Sequence, residues 1–215
     1  SLVLYGGLSL ELSTGWHQRS RSSAAAYELA NWNHLGGSIS YQWDSRTNIS
    51  TLARWNQFDS IWGDKLGKGA NLDLNLSHTI FAHAPEWRLR ASLQWMHLDR
   101  VAELPSNMQK FFTAVNTGMG SVLTDKFGRI GLGSTLQHGD PGRLTHRVAS
   151  PHWILDVDAG YQWLTGVVDW GVSGGFGWRV FGDDELALTM GYSSDNQGAG
   201  SSHQVWLGYN KYFGR

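Results

Sequence analysis

Period-two alternation of apolar and polar side chains runs through nearly the whole chain, and a chain patterned this way folds into strands. In residues 152–163, Trp153, Leu155, Val157, Ala159, Tyr161 and Trp163 share one face. His152, Asp156, Asp158, Gly160 and Gln162 share the other, with Ile154 the one apolar exception. Residues 87–96 set Trp87, Leu89, Ala91, Leu93 and Trp95 against Arg88, Arg90, Ser92 and Gln94. Residues 168–180 set Val168, Trp170, Val172, Phe176, Trp178 and Val180 against Asp169, Ser173 and Arg179. Leu72, Leu74, Leu76 and Ile80 oppose Asn71, Asp73, Asn75, Ser77 and Thr79.

Strands are expected at 2–17, 35–43, 48–57, 69–82, 87–97, 111–125, 129–138, 152–163, 167–181, 185–193 and 203–213. Turn-forming residues separate many of them: Asp44-Ser45-Arg46, Ala84-Pro85, Asp125-Lys126-Phe127-Gly128, Thr165-Gly166 and Gly182-Asp183-Asp184. Longer polar connections are expected at 18–33, 98–110, 139–151 and 194–202, with Ser23–Ala30 compatible with a helical turn.

Alternation alone also fits a soluble sandwich or a small ligand-binding barrel. Strand length separates the readings. The clearest strands exceed the five or six residues, roughly, that are usual in soluble proteins, whereas a tilted strand needs roughly 9–11 to cross hydrocarbon. The tryptophans then mark the ends of the apolar face. Trp153 and Trp163 lie ten residues apart on it. At about 3.3 Å per residue and a tilt near 40°, that spacing projects to roughly 25 Å, the height of an outer-membrane apolar band. Trp87 with Trp95, and Trp170 with Trp178, repeat the bracket over a shorter span, and Trp16 and Trp43 sit at single strand ends. These eight tryptophans are assigned to the membrane interface. The expected fold is an all-β, antiparallel, up-and-down transmembrane β-barrel of about ten to twelve strands. A closed barrel leaves no unpaired strand edge in lipid.

The polar face would then line the lumen through Glu11, Arg54, Asp73, Arg88, Arg90, Arg129, Asp156, Asp158, Asp169 and Arg179, with many glycines between them. Charges of both signs fit either a hydrated pore or an interior held by internal ion pairs.

Composition narrows the functions further. Charged residues make up 16% of the chain, too few for a disordered one. A formal net charge of −1 supplies no basic footprint for nucleic acid. Without cysteine there is neither disulfide nor thiolate zinc site. Ser77-His78 and Ser202-His203 are sequence neighbours, so their side chains point to opposite faces of a strand and cannot form a local nucleophile–base pair. The histidines show no metal-ligand spacing. No catalytic residue, metal or cofactor is expected.

Eleven strands conflict with the even number of a single-chain bacterial barrel. The leucine-rich opening from Leu2 to Leu12 begins a strand without lead-in, as in a barrel domain over 1–215 that lacks N-terminal strands. No basic segment with an apolar core, the mark of a signal peptide, opens the chain. With the C-terminus in the periplasm, this count puts connections 18–33, 98–110 and 139–151 on the periplasmic side, the reverse of the usual asymmetry.

Near the C-terminus, Val205, Leu207, Tyr209 and Phe213 share a face, with Gly208 five residues before Phe213. This resembles the C-terminal signal read by the outer-membrane assembly machinery, here through Gly208, Tyr209 and Phe213. Together with the tryptophan-rich strands, the glycine-rich polar face and the terminal Gly208-Tyr209-Asn210-Lys211-Tyr212-Phe213, the chain resembles the C-terminal barrel of exopolysaccharide-export porins of the Pel and cellulose type. The resemblance implies a sixteen-stranded barrel, of which this chain covers about two-thirds, following a periplasmic tetratricopeptide scaffold. It implies outer-membrane lipid, a polysaccharide substrate, the assembly machinery and periplasmic or lipoprotein partners, and it carries over no catalytic residue. The alternative is a small closed outer-membrane barrel with a structural or adhesive role, or a lipid-modifying enzyme.

Overall fold

A computed structural model describes residues 2–4, 7–19, 28–111, 119–139, 151–181, 184–194 and 201–210. The strands are β1 (Leu2–Leu4), β2 (Leu8–Arg19), β3 (Ala30–Gln42), β4 (Thr47–Ser60), β5 (Lys65–Phe81) and β6 (Glu86–Arg100). They continue with β7 (Lys126–His138), β8 (His152–Gln162), β9 (Val167–Phe181), β10 (Asp184–Ser193) and β11 (Ser202–Asn210). Each is hydrogen-bonded to its neighbours in sequence, in the order β1 to β11. The fold is all-β and antiparallel, as expected. The only helices among the described residues are short: α1 (Ser106–Gln109), a 3-10 turn at Met119–Ser121 and a helical pair at 28–29.

Two expectations are corrected, and their errors offset in the strand count. The expected strand 2–17 is a hairpin: Leu2 pairs with Leu10 and Leu4 with Leu8, and Gly7 reverses the chain at φ +80°. That left-handed backbone is open to glycine at little steric cost. Of the expected strand 111–125, residues 112–118 lie outside the described residues, and the described part, 119–125, forms a 3-10 turn and its exit in place of a strand. Its apolar residues Met119, Val122 and Leu123 stand at spacings of three and four, which suits a helical turn and not a strand. In addition, β3 begins at Ala30, inside the expected connection 18–33, because a strand that runs past its apolar band loses its alternation.

These changes reorder the connections. Successive connections alternate between the two ends of an up-and-down sheet. Those at 20–29, 61–64, 101–125, 163–166 and 194–201 share one end, and those at 5–7, 43–46, 82–85, 139–151 and 182–183 share the other, where β11 finishes. Of the three long connections that conflicted with the usual asymmetry, two change ends.

The chain falls into two units. The first, Ser1–Trp43, Ile49–Asn75 and Leu93–Arg129, holds a buried apolar cluster. Leu104 and Met108 around α1 and Met119, Val122 and Leu123 around the 3-10 turn pack with Leu29, Ala30, Phe58, Leu66 and Leu98. Phe58 follows Arg54 and Asn56 at two-residue steps on β4, so this cluster covers the face that carries the polar side chains. Connection 101–125 is tied down by Leu98 N–H to the Asp125 carbonyl at 2.6 Å and by the Arg100–Asp125 ion pair at 3.6 Å.

The second unit, Asp44–Asn48, Leu76–Ser92 and Ile130–Arg215, has no buried apolar side chain among its described residues. Its large apolar groups face outward instead, with Leu132 70% and Val205 71% exposed. The β8–β9 register puts Trp153 beside Phe176, Val157 beside Val172 and Ala159 beside Trp170 on this face. It puts Asp156 beside Ser173, Asp158 beside Gly171 and Gly160 beside Asp169 on the other. Strands β10 and β11 continue both faces: Met190 and Val205 on the first, Gly191 and Gln204 on the second.

The β3–β4 turn is closed by Asp44, whose Oδ1 accepts from the N–H groups of Arg46 and Thr47, each at 2.7 Å. Those bonds, the Arg46 N–H foremost, hold the carboxyl below its ordinary range. A depressed carboxylate stabilises the fold above its unfolded pKa, and that contribution is lost as pH falls through the lowered value. The stability gap between the native protein and Asp44→Asn, read by urea unfolding, should therefore shrink on acidification through the carboxylate range. A gap independent of pH would exclude the role of the ionised form.

Candidate functional site: the polar face of the sheet

In the second unit the polar face is organised around Asp156. Arg90 Nη2 donates to both of its oxygens at 2.7 and 2.6 Å, and Thr135 Oγ1 donates to Oδ2 at 2.6 Å. Arg90 lies over Gly133, where a Cβ would stand 3.0 Å from the guanidinium. The glycine makes room for the arginine to reach across β7. One step along β6, Arg88 pairs with Glu86 at 2.5 Å, and Gln137 donates to the same carboxylate at 3.1 Å. Asp158 lies beside Gly171. Asp169 is 4% exposed and accepts from Gln162 Nε2 at 2.9 Å. Arg179 pairs through its backbone with Glu185; its side chain is outside the described set.

In the first unit the polar face is a relay of amides and rings. Trp32 Nε1 donates to Asn56 at 2.9 Å, Asn56 to Asn71 at 2.8 Å and Asn71 to Asp73 at 3.1 Å. Arg54 stands 5.2 Å from the Trp32 ring and His34 stacks on that ring at 4.2 Å. Glu11 faces the same side, opposite Ser38. Arg129 on β7 has the parity of Gly133 and Thr135. The structure thus joins Arg90 with Asp156, and Arg54 with Asp73 through Trp32 and two asparagines. It gives Glu11 no such partner among the described residues.

The tryptophans chosen from sequence that lie within strands are on the opposite face, and Trp43 and Trp163 stand one residue past the ends of β3 and β8. Trp16, Trp43, Trp95, Trp163, Trp170 and Trp178 are exposed, and Trp87 and Trp153 half-buried. Their rings are held by neighbours: Trp87 Nε1 donates to Ser134 Oγ at 2.8 Å, Trp153 stacks on His138 at 6.2 Å, and Trp170 meets Tyr192 at 4.8 Å. Trp55 belongs to this set by parity and exposure but was missed, because no second tryptophan brackets its strand. Trp32 was missed because it lay in an expected loop. Near the terminus, Tyr209 pairs with Leu186 on the apolar side, Gly208 is buried on the polar side, and Phe213 is outside the described residues.

Catalytic pairing finds no support at the adjacent Ser and His positions. His78 Nδ1 lies 2.9 Å from Thr47 Oγ1, and His203 packs on Tyr192 while Ser202 faces the other side of β11. No cluster of metal ligands occurs among the described residues.

An antiparallel sheet in sequence order, with one apolar and one charged face, is matched over residues 1–212 by the family model described as PelB, C-terminal beta barrel domain. The chain belongs to this family. No curated protein matches it. In a PelB-type barrel domain the wall is one continuous sheet, so each strand must serve both faces at once. The two-residue alternation of apolar and polar side chains meets that requirement.

Proposed function

We propose that this chain is part of the wall of an outer-membrane conduit for exopolysaccharide export and acts without catalysis. The observation that carries the reading is its inverted solvation. Apolar side chains stand outward along β8 to β11, while Arg90, Asp156, Asp158 and Asp169 line the opposite face. Soluble monomers rarely expose apolar patches of that extent, whereas lipid solvates them. The charged face then lines the lumen, through the ten residues assigned to it, and the eight bracketing tryptophans lie at the interfaces. Membership in the PelB C-terminal barrel family supports the export role.

With the end of β11 in the periplasm, connections 20–29, 101–125 and 194–201 are extracellular, and the turns at 43–46 and 82–85 are periplasmic. This restores the usual asymmetry at those connections, while the long connection 139–151 stays on the periplasmic side. The chain contributes the C-terminal strands of a sixteen-stranded barrel, wide enough for an aqueous channel. Gly208, Tyr209 and Phe213 present the assembly signal, and periplasmic or lipoprotein partners deliver the polymer.

The test is electrical. The full-length protein in planar bilayers should give stepwise conductance that scales with salt concentration. Silence, even after the cover formed by connection 101–125 has been loosened by substitution, would defeat the reading.

A further inference from the structure

Trp206 faces away from the other aromatic residues of its strand. It alternates with Val205 and Leu207, so it projects from the polar face, beside Thr189 and in one row with Gly175 and Ile154. Its indole lies across Gly208, at the place where a Cβ would have to stand. The ring is thereby laid along the strand, and the residue remains 55% exposed. Trp32, also on a polar face, is occupied by His34, Arg54 and Asn56. Among the described residues no ring, cation or hydrogen-bond partner engages Trp206.

The neighbours of Trp206 are small or hydrogen-bonding. Gln204 reaches over Gly191, its Nε2 3.1 Å from where a Cβ would be, and the Thr189 hydroxyl is on the same side, near Gly175. A flat apolar plate edged by an amide and a hydroxyl suits a ligand with one flat C–H face and hydroxyls at its rim. A pyranose has that chemistry.

We propose that Trp206 is a stacking platform for the pyranose units of the polymer, with Gln204 and Thr189 bonding to their hydroxyls. The proposal rests on the export reading. A single platform binds weakly, and a conduit must release what it holds.

The experiment is blockade of the full-length protein in planar bilayers by two neutral oligosaccharides, maltohexaose and chitohexaose. The native channel should show concentration-dependent interruptions with at least one of them. Trp206→Phe, which keeps a ring, should retain them. Trp206→Leu, which keeps bulk without a ring face, should raise the half-blocking concentration about tenfold, as expected for loss of one stacking contact. A native channel that conducts but is blocked by neither sugar overturns the platform and leaves the conduit standing, as does equal blockade of the leucine variant. A native protein that does not conduct at all removes the conduit itself.

Discussion

Replacing Met108 by aspartate in the full-length protein is expected to raise single-channel conductance severalfold. Met108 is fully buried, in a cluster with Leu104, Met119, Val122 and Leu123 against Phe58, Leu66 and Leu98. Phe58 and Leu98 have the parity of Arg54 and of Arg90, so in the proposed barrel this cluster covers the lumen face at the extracellular end. A carboxylate there has no partner and carries a desolvation cost of several kcal/mol, which connection 101–125 relieves by lifting away. Met108→Leu, close in volume, should cost less than about 1.5 kcal/mol and leave conductance at the native value. The idea fails if the aspartate variant conducts like the native protein while the connection has become protease-sensitive. The cover would then lie outside the conducting path.

The second large effect separates the two faces at adjacent rows of the β8–β9 hairpin. Val157→Arg should destabilise the membrane-embedded protein by about 2–4 kcal/mol, the cost of arginine facing lipid near the midplane. Val157 pairs with Val172 on the apolar face, between the levels of Trp153 and Trp163. Ser173→Arg, on the polar face beside Asp156 and Gly191, should change stability little and reduce conductance by narrowing the lumen. Urea unfolding from lipid vesicles gives the first quantity and bilayer recording the second. If the serine variant is the less stable of the two, the assignment of faces is reversed.

The two variants differ in how far their effects could be read from sequence. The face of Val157 follows from alternation within a dozen residues, because successive side chains on a strand must point to opposite sides. The same local rule assigns Glu11, Asp73, Asp156, Asp158 and Asp169 to one face and the bracketing tryptophans to the other. It also places Trp206 correctly, once Val205, Leu207 and Tyr209 are read as a set. The rule loses force where the chain leaves the apolar band. Thus β3 extends back to Ala30 through Asn31 and Asn33, whose polarity on the outward side imitates a loop.

Met108 belongs to what only long-range packing decided. Residues 111–125 contain enough apolar side chains for a strand. Phe58, Leu66 and Leu98, distant in sequence, bury Met119, Val122 and Leu123 together, and strand geometry would have turned Val122 and Leu123 to opposite faces. The choice of ion-pair partner is equally non-local. Arg90 meets Asp156 across 66 positions, because β7 offers Gly133 as a gap for the guanidinium. The hairpin at Gly7 is a third case: leucines alternate on both sides of it, so the pattern continues through the turn while the chain reverses. The sequence by itself determined that this is a sheet with one apolar and one charged face, since both faces are written in the two-residue period of each strand. The tertiary structure decided where the strands turn, which charges pair and which connection folds over the polar face, because those depend on groups that meet only after the strands are side by side.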